Sequence, residues 1–145
     1  MSENMDGDGL LRLIRKDVIA FNRFRLKDPG HKIDFSAETL NSASLAGANL
    51  SGVILTNAWM FNVTLCGANL SGAFLKGVHG RGANLDGADL SGADLRDADL
   101  TESSLINVNL AGASVNRLDI SGAKISRATF EQLVEAIKST VTIVE

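Results

Sequence analysis

Between Leu85 and Leu110 every fifth residue is leucine. The surrounding stretch reads ANLDG ADLSG ADLRD ADLTE SSLIN VNL, with Leu85, Leu90, Leu95, Leu100, Leu105 and Leu110 in one phase. Two positions before each lies a small or β-branched residue: Ala83, Ala88, Ala93, Ala98, Ser103 and Val108. A five-residue period fits neither the helical repeat nor the two-residue alternation of a strand. It defines a repeat architecture, in which units stack on their neighbours to bury a shared core.

The phase extends well beyond this stretch. Towards the N-terminus it passes through Gly80, Leu75, Leu70, Leu65, Met60, Leu55, Leu50, Leu45, Leu40 and Phe35; towards the C-terminus, through Val115, Ile120, Ile125 and Phe130. Gly80 is the one non-apolar occupant, and Glu38 the clear exception in the small-residue slot. The other three positions are mostly polar, so each pentad turns two residues inward and three outward. Its last position is often glycine, as at Gly47 and Gly112, where a tight corner can use a positive φ.

From Ile33 to Ala128 this pattern resembles the pentapeptide-repeat family, whose motif is A-(D/N)-L-x-x. The resemblance implies an all-β solenoid, a right-handed quadrilateral β-helix with four pentads per coil. Residues twenty apart then stack on one face. About five coils at roughly 4.8 Å per strand give a rod about 24 Å long. The expected organisation is a disordered start and an amphipathic capping helix in 1–32, the β-helix in 33–128, and a capping helix with a short tail in 129–145.

Composition suits a narrow core. Hydrophobic residues make up 45% of the chain, but aromatics only 5%, with no Tyr. A net charge of −3 names no partner, and a single Cys excludes an intramolecular disulfide framework. The acidic, polar start MSENMDGDG is unlike a secretory leader, and no apolar run approaches the roughly 20 residues of a membrane span. A cytoplasmic location is expected.

Before the repeats, Leu10, Leu13, Ile14, Val18, Phe21 and Phe24 recur at three- and four-residue steps. They predict one helix from about Leu10 to Leu26, capped by Asp8 or Gly9 and stopped by Pro29 and Gly30. Met1 to Gly9 should be disordered. Arg12, Arg15, Lys16, Arg23 and Arg25 form the opposite, basic face. Its expected role is a solvated face on a cap over the first coil, where strand edges need cover. Contact with nucleic acid or an acidic membrane is the alternative. After the repeats, Thr129 and Gln132 predict a helix start, with Phe130, Leu133, Val134 and Ile137 as its apolar stripe. Ser139 ends it, and Val141 and Ile143 suggest a short strand. The family resemblance makes a homodimer through this end plausible.

Stacked by twenties, the outward positions divide into four faces. Asn49, Asn69, Asp89 and Asn109 form one polar ladder, expected to satisfy side-chain amides along the stack. Two adjacent faces depart from polarity: Ile54, Trp59, Phe61 and Phe74 occupy outward slots, with His79 above Trp59 and Arg81 above Phe61. Such a cluster marks a protein-binding or self-association site, unless the N-terminal helix folds over it. Asp94, Asp97, Asp99 and Glu102 share an edge, with Asp119 stacked over Asp99. Around Gly80, which deletes a core side chain, Met60 and Leu100 should close in with Val78 adding volume, and the stretch KGVHGRG should bulge or kink, with an anion nest as a weaker alternative.

No chemistry is legible. His31 and His79 lie far apart, Cys66 and His79 fall on different faces, and there is no CxxC or clustered metal spacing. The expectation is no catalytic residue, metal or cofactor, hence a non-enzymatic interaction scaffold. The alternative comes from the resemblance, because some family members mimic duplex DNA and bind a topoisomerase such as gyrase. The acidic edge would carry that role. A nucleic-acid partner for the basic helix is a third reading.

Overall fold

The computed structural model describes residues 5–140. From Asp34 onward one backbone unit recurs. Parallel bridges join residues twenty apart: Asp34 to Ile54, Ile54 to Phe74, and so on to Asp99 with Asp119. Two short strands, β1 (Ser104–Leu105) and β2 (Lys124–Ile125), continue the same register. Twenty residues therefore close one coil, and its four sides present four outward columns. The first holds Asp34, Ile54, Phe74, Asp94 and Ser114; the second holds Thr39, Trp59, His79, Asp99 and Asp119.

Corners follow from a β-turn within each pentad. The carbonyl of the leucine-slot residue accepts from the amide three residues on, as Phe35 O does from Glu38 N (3.1 Å) and Leu95 O from Ala98 N (3.2 Å). The third residue of each turn has positive φ, the condition of a type II turn. Gly47 (68°) meets it without strain, but eight corners are not glycine, from Ala37 (57°) to Arg117 (57°). The outward Asn or Asp of the motif locks this turn. Asn69 Oδ1 accepts from Ser71 N (3.0 Å) and Ser71 Oγ (2.6 Å), and Asp119 Oδ1 does the same with Ser121 (2.9 and 2.6 Å). The expected bonding along the polar ladder is therefore largely replaced by bonding within each pentad. One bond does run along the stack, from Asn109 Nδ2 to Asp89 Oδ1 (3.2 Å).

Inside, the leucine and alanine slots are buried without a break from Leu45 to Val115, while Ala43 before them and Leu118, Ile120, Ala123 and Ile125 after them are partly buried. Ser103 occupies an alanine slot, and its hydroxyl donates to Leu100 O (2.6 Å), so no polar group is stranded there. The expected bulge at Gly80 is absent. Gly80 N donates to Asp99 O (2.7 Å), and the bridges from Trp59 to His79 to Asp99 stay in register. Leu100 fills the missing side-chain space instead: a Cβ on Gly80 would lie 2.7 Å from Leu100 Cδ2. A small apolar void of about 20 Å³ remains between Gly80, Met60, Val78 and Leu100.

The N-terminal segment forms two helices rather than one. α1 spans Gly7–Lys16 and α2 spans Val18–Lys27. Asp17 separates them: its amide closes α1 on Leu13 O (2.7 Å), and its carboxylate caps α2 by accepting from Ala20 N (2.9 Å). A side chain that satisfies a helix-start amide competes with helix continuation, so the chain turns there. Asp6, not Asp8 or Gly9, caps α1, so Gly7 to Gly9 are helical. Leu10, Leu11, Ile14 and Phe21 join the solenoid core, with Leu13, Val18 and Phe24 packed at its margin.

Arg25 leaves the expected basic face. It is only 6% exposed, and its guanidinium donates to Ser51 O (2.6 Å) and His31 O (3.2 Å). Burial lowers its pKa, opposed by the nearby charge of Asp28. Asn22 adds a two-way bond to the same corner, donating to Gly47 O (3.0 Å) and accepting from Asn49 N (2.8 Å).

α3 (Arg127–Lys138) follows the last pentads. Ser126, not Thr129, is its N-cap. Thr129 is buried and donates to Leu105 O (2.8 Å), while Gln132 accepts from Leu110 N (2.6 Å) and donates to Val108 O (3.2 Å). The pair thus satisfies solenoid backbone groups instead of closing a capping box. The stripe divides too: Leu133 is buried, but Phe130 and Ile137 are 55% and 52% exposed. The suggested strand at Val141–Ile143 lies outside the described residues. No helix among the described residues is long and apolar enough to cross a membrane.

Candidate protein-docking surface

The two departing faces are the first and second columns. In the first, Ile54 bridges to Phe74; Ile54 is half-buried and Phe74 is 49% exposed. In the second, Trp59 bridges to His79 and is 41% exposed. The indole and imidazole rings stack with centroids 4.2 Å apart and planes 21° from parallel. Phe61 meets Trp59 edge-on at 5.6 Å. Strand register brings Trp59 and His79 together, since each outward residue stands directly over the one twenty before it, and Phe61 joins them from two residues further along the same pentad.

Nothing in α1 or α2 is bonded to this cluster. α2 is anchored through Asn22 and Arg25 at Gly47, Asn49 and Ser51, at the edge of the polar ladder. Trp59 and Phe74 stay substantially exposed, so the helical lid expected as one alternative over Trp59 is not the arrangement found. Because Arg25 turns inward and Asp17 splits the helix, the expected continuous basic face is also interrupted.

Asp94, Asp99 and Asp119 of the acidic edge continue the same two columns, and Asp97 and Glu102 lie at the corners that follow Asp94 and Asp99. Asp94 stands over Phe74 and Asp99 over His79, so the aromatic cluster and the acidic edge form one continuous surface. Three of the five carboxylates are matched by arginines. Arg96 holds Asp94 through two bonds (2.8 and 2.6 Å), Arg81 holds Glu102 through two bonds (3.2 and 2.8 Å), and Arg117 pairs with Asp97. These hydrogen bonds keep Asp94 and Asp97 below the usual carboxylate pKa and raise the pKa of each arginine. Asp99 and Asp119 have no ion-pair partner among the described residues. Each is fixed by its own turn, Asp99 by Thr101 (3.0 and 2.7 Å) and Asp119 by Ser121, which lowers the Asp119 pKa.

Sequence reasoning missed Arg117 as a charge partner. Its offset of twenty from Asp97 carried the signal. Arg25 carried none, because nothing in a basic helical face marks which guanidinium turns inward. Among the described residues, no group of three or more His, Cys, Asp and Glu side chains is placed to hold a metal ion.

The family sequence model for pentapeptide repeats matches residues 33–62, 58–97 and 93–132, in eight copies. The chain belongs to the pentapeptide-repeat family. Among solved structures it is similar to HetL, a pentapeptide repeat protein involved in heterocyst differentiation regulation from the cyanobacterium Nostoc sp. strain PCC 7120. The identity is 32% over 63% of this chain and 44% of HetL, with a TM-score of 0.61. A pentapeptide repeat protein of the Arabidopsis thaliana thylakoid lumen is 33% identical over 62% of this chain and 56% of its own, with a TM-score of 0.30. The plasmid-mediated fluoroquinolone resistance protein QnrB1 is 15% identical over 78% of this chain and 86% of its own, with a TM-score of 0.36. The chain spans less than half of HetL and little over half of the Arabidopsis protein. At these TM-scores the second and third likenesses carry no argument. The family and the HetL likeness imply a right-handed β-helix solenoid, in keeping with the twenty-residue register. Comparison with curated protein sequences gave no match.

Proposed function

We propose that the protein is a non-enzymatic scaffold that docks a protein partner on the surface built by Ile54, Trp59, Phe61, Phe74, His79 and Arg81. One observation carries this: Trp59 and Phe74 expose about half of their rings on adjacent faces, in slots the repeat otherwise fills with polar residues. Exposed aromatic clusters rimmed by charge are the usual composition of interface anchors. The rigid ladder fixes their spacing, so little order is lost on binding. Pull-down of partners by the full chain tests this, with Trp59→Ala and Phe61→Ala as comparisons. Loss of specific partners from both variants is expected, and an unchanged set would refute the assignment. Self-association through the exposed Phe130 and Ile137 of α3 is compatible with it, because that helix follows the last pentads and carries none of the six surface residues.

The alternative, mimicry of duplex DNA towards a topoisomerase such as gyrase, has less support. A mimic needs a run of uncompensated anions. Here Arg81, Arg96 and Arg117 neutralise three of the five acids at Asp94, Asp97, Asp99, Glu102 and Asp119. A supercoiling assay with micromolar protein is expected to show neither inhibition nor protection.

A further inference from the structure

The second column carries more information than its aromatic end. It runs Thr39, Trp59, His79, Asp99, Asp119 along the rod axis. Two rungs form an aromatic platform, and the next two carry carboxylates. Asp99 and Asp119 each commit one oxygen, Oδ1, to their own turn. The second oxygen of each, Oδ2, has no hydrogen-bond donor among the described residues. Asp99 contributes to raising the pKa of Arg81, after the larger effect of Glu102, whose carboxylate engages the guanidinium. Two like charges are thus held in bridged register, at the strand spacing of about 4.8 Å, with fixed orientation and free acceptors. Such a pair is stabilised by a cation placed between its members, and a guanidinium has the geometry to bond both.

We infer that this surface, resting on the docking role proposed above, takes an extended cationic polypeptide segment lying along the rod axis. An apolar or aromatic side chain of the segment packs on Trp59, Phe61 and His79, and an Arg or Lys of the same segment bridges Asp99 and Asp119. The dimensions agree. From the middle of the aromatic pair to the middle of the carboxylate pair is two rungs, about 9.6 Å. In an extended chain, residues two and four apart face the same side at about 6.7 and 13 Å, and a long basic side chain covers the difference. The neighbouring first column is compensated, with Asp94 held by Arg96, so the attraction is concentrated on the second column.

The test uses the full chain as bait for a random peptide display library, followed by titration of the enriched peptides at low and high salt. Enrichment of peptides with an aromatic or large aliphatic residue two to four positions from Arg or Lys is expected. The Asp99→Asn/Asp119→Asn variant should bind them about tenfold more weakly at low salt, a difference that shrinks as salt screens it. Asn keeps the oxygen that accepts from Thr101 and Ser121, so the turns persist, and an unchanged unfolding midpoint verifies this. Trp59→Ala should abolish binding. Peptides that need Trp59 but ignore the Asp99→Asn/Asp119→Asn change would overturn the cationic assignment and leave the docking role standing. Enrichment of no Trp59-dependent peptide would overturn both.

Discussion

Trp59 and His79, twenty residues apart in the chain, stack ring on ring at 4.2 Å. Their amides and carbonyls explain why: Met60 N donates to His79 O (2.8 Å), and His79 N donates to Ala58 O (2.9 Å). The ladder therefore fixes both Cα positions, and the two flat side chains have one efficient way to lie over each other. The same logic places Asp99 next in line, which joins the aromatic cluster and the acidic edge into one surface.

Arg25 holds α2 to the first coil. Its removal leaves Ser51 O and His31 O without their donors at a covered site. Arg25→Ala is expected to destabilise the protein by about 1–3 kcal/mol, the cost of unpaired groups at a buried position. Arg25→Lys should recover only part of this, because a single ammonium does not reproduce a fork that bonds two carbonyls. Urea unfolding measures both. Trp59 emission should not change in either variant, since α2 is anchored away from that ring.

Gly80 serves space rather than backbone conformation. Gly80→Ala should cost less than the larger substitution, because the closest clash is with a Leu100 methyl that can turn towards a void of about 20 Å³, although the Asp99 carbonyl at 3.3 Å must also give slightly. Gly80→Leu restores the repeat consensus yet overfills the axis, and is expected to lose about 1–3 kcal/mol. Leu100→Ala should lose about 2–5 kcal/mol, because two adjacent rungs are then empty. Thermal unfolding of the three variants orders them.

Corner residues give a pair with opposite signs. Ala37 sits at φ 57° and Gly47 at φ 68°, and a Cβ at Gly47 would meet no atom within 4 Å. The difference between the two substitutions is therefore conformational. Gly47→Ala is expected to destabilise by about 1 kcal/mol, and Ala37→Gly to be neutral or stabilising by up to about 1 kcal/mol. Chemical denaturation midpoints shifted in the same direction by both would contradict the turn assignment.

Acid should weaken the fold below about pH 4, where ordinary Asp side chains begin to take up protons. Hydrogen bonds from Arg96, Arg117, Ser36 and Ser121 lower the pKa of Asp94, Asp97, Asp34 and Asp119 respectively. In that window the unfolded chain binds more protons than the native one, so stability falls as pH falls through the native values. Denaturant midpoints measured from pH 6 to pH 2 are expected to drop over the lower part of the range. Asp34→Asn, which keeps the turn acceptor but not the charge, should flatten the slope.

Much of the architecture could be read from the sequence, because a long repeat leaves few alternatives. The phase from Phe35 to Ile125 predicts which residues face inward, and the twenty-residue offset implied by the family resemblance predicts that Ile54 meets Phe74 and Trp59 meets His79. Features that depend on a single side chain were not legible. Asp17 splits a helix whose apolar period continues unbroken through it. Arg25 reads as a surface cation until the carbonyls of Ser51 and His31 are seen to face it. At Gly80 the closing-in of Leu100 was legible and is found, but the bulge was not needed, because that closure lets the bridges from Trp59 to His79 to Asp99 keep their register. Phe130 reads as part of the apolar stripe of the last helix, yet it is exposed, because Leu133 makes the core contact.

The most direct test of an open docking surface is the accessibility of Trp59, the one tryptophan in the chain. Its emission maximum and its quenching by acrylamide should be measured across a dilution series of the full chain. The structure predicts a red-shifted, readily quenched indole at every concentration, and stronger exposure in His79→Ala once the stacking ring is gone. A blue, quencher-resistant emission that persists on dilution would contradict it, because Trp59 would then be covered and the docking site would lie elsewhere.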